Sequence, residues 1–99
     1  RLPDLILMDI VMPNMNGFEA TRVLAGDAST SGIPVIIVSG TDQPTDRAWG
    51  VRVGAKGFLA KPVRKDLLLS TVGAVLAQSW RAKARQLAQQ GVGGSDAER

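Results

Sequence analysis

"PDLILMDIVMPNMNG", residues 3–17, is the stretch whose reading decides the fold. Leu5 to Met8 form a short, unbroken apolar run, the pattern of a strand buried on both faces of a parallel sheet. A single carboxylate, Asp9, follows that run, and Asn16-Gly17 then marks a turn. Phe18 to Leu24 continue with helical spacing through Phe18, Thr21 and Leu24. The stretch therefore reads as strand, loop and helix, with one acid placed where the buried part of the strand ends.

The same unit recurs twice downstream. Pro34-Val35-Ile36-Ile37-Val38 reads as a second buried strand, with its proline at the first position, where a missing N–H is tolerated. A helix begins near Thr41 to Gln43, carries Trp49, Val51 and Val53, and stops at Gly54. Gly57-Phe58-Leu59-Ala60 is a third, very short strand. From Lys65 runs the longest helix, with Leu68, Val72, Val75 and Leu76 on one stripe that Trp80, Ala84 and Leu87 extend. Gly91-Val92-Gly93-Gly94-Ser95 ends it, and the last residues read as disordered. Strand–helix alternation of this kind builds a parallel sheet with helices on both faces, an α/β architecture. Residues 1–78 read as the domain and 79–99 as a helical extension with a disordered tail.

In such sheets functional residues collect at the carboxyl ends of the strands. Asp9 ends the first, Ser39 the second, and Lys61 follows the third. Singly, each has an ordinary explanation: a turn-forming Asp, a Ser donating to a local turn, a solvated Lys before a proline. Together an acid, a hydroxyl and an ammonium form a phosphoryl site. The carboxylate can accept a phosphoryl group as an acyl phosphate, while the ammonium and hydroxyl meet its oxygens. Such chemistry normally also requires a divalent cation.

Composition removes other classes. The chain of 99 residues has no Cys and no His, which excludes disulfides, thiolate metal sites and imidazole bases or ligands. No apolar run approaches the roughly 20 residues that cross a bilayer, and a soluble, cytoplasmic protein is expected. The net charge of +3 is unevenly spread: residues 1–78 hold 8 basic and 7 acidic side chains. Residues 79–99 hold Arg81, Lys83, Arg85 and Arg99 against Asp96 and Glu98. No recognition-helix pattern accompanies these cations, so a solvated helix face rather than a nucleic-acid footprint is expected.

Three blocks, "PDLILMDIVMPNMNG", "IPVIIVSG" and "GAKGFLAKPV", resemble the signature blocks of response-regulator receiver domains, the family of the chemotaxis protein CheY. The resemblance covers residues 3–77, and "DQPTDRAWGVRVGA" is similar to single-domain regulators of type IV pilus twitching motility, of the PilH and PilG kind. It implies a flavodoxin-like (CheY-like) sheet, here only its third to fifth βα units. Asp9 would be the phosphoacceptor, charged by a sensor histidine kinase or a phosphotransfer protein. Lys61 would bind the phosphoryl group with Pro62 in the cis form, Ser39 would hydrogen-bond it, and Phe58 would be the switching aromatic. Pro13 and Gly17 would shape the loop after Asp9, and small Gly40 would leave the phosphoryl group accessible. A Mg²⁺ ion would use Asp9 and the backbone carbonyl of Val11.

The chain departs from the family at its start. The family's first strand, with the acidic pair that supplies the other Mg²⁺ ligands, has no counterpart here, so Mg²⁺ is expected to bind weakly or not at all. The strand carrying Asp9 is then expected at an open sheet edge, where copies could associate into an oligomer. Three rival readings remain. One is a haloacid-dehalogenase-type phosphatase, which needs a second Asp where Val11 stands. Another is a non-phosphorylated pseudo-receiver acting as an interaction module. The last is the receiver of a larger regulator that has lost its output domain. A downstream protein target is implied by either signalling reading, with no membrane or nucleic-acid partner.

Overall fold

The computed structural model describes residues 2–11, 16–40 and 44–91. Six elements alternate along it: β1 (Ile6–Asp9), α1 (Gly17–Gly26), β2 (Val35–Ser39), α2 (Pro44–Arg52), β3 (Gly57–Ala60) and α3 (Lys65–Gly91). The three strands form one parallel sheet in the order β1-β2-β3. Pro13, Thr41 to Gln43 and residues 92–99 lie outside the described residues, as does the helix start read from the sequence at 41–43.

Alternation along β2 explains the layering. Val35 and Ile37 point to one face, where Met8, Phe18, Leu24, Val53 and Phe58 join them beneath α1 and α2. Ile36 points to the other, where Leu59, Val75, Leu68 and Val72 pack under α3. Ile36 and Ile37 are both fully enclosed, so β2 is the doubly buried strand its sequence implies.

β1 differs from its reading as a strand buried on both faces. Met8 is buried but Leu7 is 50% exposed, because among the described residues β1 pairs only with β2 and α3 lies over Ile36 and Leu59 instead. The single stripe read along α3 likewise divides. Leu68, Val72 and Val75 pack on the sheet, whereas Trp80 and Leu87 are exposed because the helix outruns the strands.

Local chemistry sets the helix ends. Asn16 caps α1, its side-chain oxygen accepting from the Glu19 N–H at 2.9 Å. Gly54 ends the α2 segment with φ of 104°; its N–H reaches Val51 O at 3.1 Å and Ala55 N–H reaches Gly50 O at 2.9 Å. That pair of bonds is a Schellman stop, which favours glycine at the left-handed position.

Candidate phosphoryl site at the strand ends

The sheet register assembles the site. Asp9 pairs with Val38 and Ser39 with Ala60, so the ends of three adjacent strands lie side by side. Lys61 follows β3 directly, and its backbone N–H donates to Ser39 O at 2.6 Å. The Lys61–Pro62 peptide bond is cis.

From there the Lys61 ammonium crosses to Asp9, donating to Oδ2 at 2.8 Å. The other oxygen, Oδ1, accepts from the Val11 N–H at 3.1 Å. The hydrogen bond from Lys61, seconded by that from Val11, holds the Asp9 carboxyl below its ordinary value, against a smaller opposing effect of desolvation. The carboxylate is thus ionised at neutral pH, and both side chains remain nearly half exposed, at 45% and 46%, within reach of an incoming donor.

Ser39 lies beside the pair and is buried, while a side chain at Gly40 would meet open space. Gly17 is enclosed against the backbone of Asp9 and Ile10, and its N–H donates to Ile10 O at 2.7 Å. This close approach anchors the start of α1 under the strand end that bears Asp9, a role the turn reading of Asn16-Gly17 did not reveal.

Phe58 faces the α1/α2 layer with the Arg47 guanidinium 4.9 Å from its ring centroid. Arg47 is eleven positions upstream, too far for any local pattern to signal the pairing. Beneath lies a depression of about 150 Å³ lined by Arg47, Gly50, Val51 and Phe58.

Receiver-type sites bind Mg²⁺, and the donors here can be tested against it. Among the described residues, no group of three or more acidic side chains could hold a metal ion. Asp9 is the carboxylate at the three strand ends, and it is engaged by Lys61 and Val11. Asp9 with one Val11 carbonyl falls short of a Mg²⁺ ligand set, so these residues do not fit the ion.

The family model for the response regulator receiver domain matches residues 1–73. The chain belongs to the response-regulator receiver family. It is 61% identical over 75 residues to Protein PilH of Pseudomonas aeruginosa, spanning 76% of this chain and 62% of PilH. It is 42% identical over 71 residues to Response regulator PleD of Caulobacter vibrioides, of which it covers 16%. A CheY-like receiver domain protein from Methanospirillum hungatei superposes with a TM-score of 0.72 at 25% identity, covering 82% of this chain and 63% of that one. The receiver domain of a histidine kinase from Syntrophus aciditrophicus gives 0.68 at 35% identity, covering 79% and 59%. The receiver family is regulatory rather than catalytic, and the CheY-like, flavodoxin-type architecture follows from these likenesses. No helix among the described residues is long and apolar enough to cross a membrane.

Proposed function

We propose that this protein is the phosphoacceptor of a His-to-Asp phosphorelay, working in the cytoplasm as a binding switch. The observation that carries the reading is the Lys61–Asp9 pair, 2.8 Å apart across adjacent strand ends. A carboxylate oxygen of Asp9 attacks the phosphorus of a phosphohistidine on a sensor kinase or phosphotransfer protein. The P–O bond forms as the P–N bond breaks, and the leaving imidazole takes up a proton. Lys61 then shifts from the carboxylate to the phosphoryl oxygens, and Ser39 donates to one of them. Phe58 responds by turning from under Arg47 towards Ser39, which changes the surface offered to a target.

Identity to PilH, together with the resemblance to twitching-motility regulators, supports a motility output made through protein binding. The edge of β1, with Leu7 exposed, is the surface through which copies would associate. The phosphatase reading has little support, since Val11 stands where its general acid belongs. The pseudo-receiver reading draws on the lack, among the described residues, of an acidic group that could hold a metal ion.

Acetyl phosphate with Mg²⁺, read by intact mass, tests the proposal. A phosphoryl adduct that forms once a complete receiver N-terminal segment is supplied, and is absent from Asp9→Asn, is the expected result. An unmodified chain, also after a complete receiver N-terminal segment is supplied, refutes the switch in favour of the pseudo-receiver. Continuous release of phosphate over many turnovers points to the phosphatase.

A further inference from the structure

Beyond Val75, α3 stays against the domain at the amino ends of β2 and β3, the edge of the sheet opposite Asp9. Its residues Gln78, Ser79, Ala82, Lys83 and Gln86 wall a cavity of about 300 Å³, closed on the other side by α1 and the loops entering both strands. These five residues lie beyond residues 1–73, the part that matches the receiver family, so the cavity is made by the continuation of the helix. Its volume reaches the range of small-molecule sites, about 300–1,000 Å³.

The lining divides by polarity. Pro34, Val35 and Val75 are buried and form an apolar floor. The fully enclosed Thr21 hydroxyl already donates to Gly17 O at 2.7 Å. The Ile33 and Lys56 N–H groups are likewise taken, by Thr30 O at 2.9 Å and Val35 O at 2.8 Å. With these donors engaged, the inner side favours an apolar group that displaces water over a polar one. The exposed part of the lining differs. Lys56 and Lys83 bring two ammonium groups there, and no acid lines the cavity. Among the described residues neither lysine has an ion-pair partner.

An apolar floor under a cationic mouth suits a molecule with an apolar body and one anionic end. A bare inorganic anion would leave the floor wet, and a cation would be repelled. We propose that this cavity binds a small amphipathic carboxylate, its tail on the floor and its head group at Lys56 and Lys83. The site lies at the strand ends opposite Asp9, so the proposal does not rest on phosphorylation.

Octanoate and octylammonium share a tail and differ in the sign of the head, and amide NMR titrations of the full chain compare them. Each exposed ammonium changes affinity by roughly twofold, attracting one head and repelling the other, so octanoate is favoured by about tenfold at low salt. Its shifts fall on Ala25, Gly32, Gly54 and Ser79. Added salt narrows the preference. Lys56→Gln combined with Lys83→Gln removes it and leaves weak binding of both tails, whereas Ser79→Phe fills the cavity and abolishes both. Equal affinity for the two probes, shifts away from those amides, or no saturable shift in a chain whose helical circular dichroism is intact overturns the proposal. So does inorganic phosphate that binds as well as octanoate, or octanoate binding undiminished by Ser79→Phe. Retention by phosphatidylglycerol vesicles in place of octanoate binding would assign the lysines to a membrane surface and overturn it too.

Discussion

Replacing Gly17 by Ala strikes the point where α1 meets the strand end carrying Asp9. A Cβ at position 17 would lie 2.8 Å from Ile10 Cα and 2.9 Å from Asp9 C, with the Asp9 carbonyl oxygen nearer still. Carbon atoms pack comfortably at about 3.5–4.0 Å, so the two segments must part by about 1 Å. All three obstructing atoms are backbone, so no side-chain rotation relieves the contact. The Gly17 N–H to Ile10 O bond, now 2.7 Å, must stretch as well. Overpacking of this kind costs about 1–3 kcal/mol. For a domain of this size each kcal/mol shifts Tm by about 4–8 °C, giving a fall of about 5–20 °C. Gly73→Ala is the matched control: it sits inside α3, exposed, with nothing within 4 Å of a new Cβ. There the better helix propensity of Ala should stabilise by about 0.5–1 kcal/mol. Thermal melts followed by circular dichroism give the two signs. A Gly17→Ala chain melting with the native protein would refute the close approach. Equal losses at both positions would show that glycine content, rather than location, matters.

Lys61→Met removes the principal cause of the low Asp9 pKa, so a carboxyl-carbon NMR titration should move it up towards the ordinary 3.8. Because the folded pKa is depressed, this pair favours the native state above the unfolded carboxyl's pKa, and that contribution fades as pH falls through the folded value. An unmoved titration in Lys61→Met would contradict the ion pair. Ile37→Ala, at a fully enclosed site on β2 facing the α1/α2 layer, should cost about 2–5 kcal/mol in denaturant unfolding. Asn16→Ala removes the cap on Glu19 N–H and should cost about 0.5–2 kcal/mol, whereas Asn16→Gly should cost only a few tenths.

Much of the fold was written in local pattern. The run through Val35–Val38 specified the central strand, because burial on both faces demands apolar residues at every position. The strand-end positions of Asp9, Ser39 and Lys61 were legible for the same reason: polar groups are tolerated where a buried strand emerges. The Lys61–Asp9 contact spans 52 positions, so its spacing carried no local signal until strand order brought the ends together. Exposure at Leu7 escaped the reading because an apolar run reports what a strand can bury, not which neighbours it has. Arg47 over Phe58 and the closeness of Gly17 to β1 escaped for a related reason. Both are contacts between elements, fixed by how helices settle on the sheet.

The long α3 helix also has a mechanical consequence. Its first eleven residues, Lys65 to Val75, are gripped by the sheet, and the remaining sixteen run on for about 24 Å, with Gln78, Ser79, Ala82, Lys83 and Gln86 walling a cavity against the body. A lever of that length magnifies small movements: a tilt of about 5° at the gripped end displaces the tip by about 2 Å. Three residues, Pro62 to Arg64, separate Lys61 from the start of that lever. On the proposed phosphorylation of Asp9, a shift of Lys61 would therefore be applied close to the fulcrum of that helix.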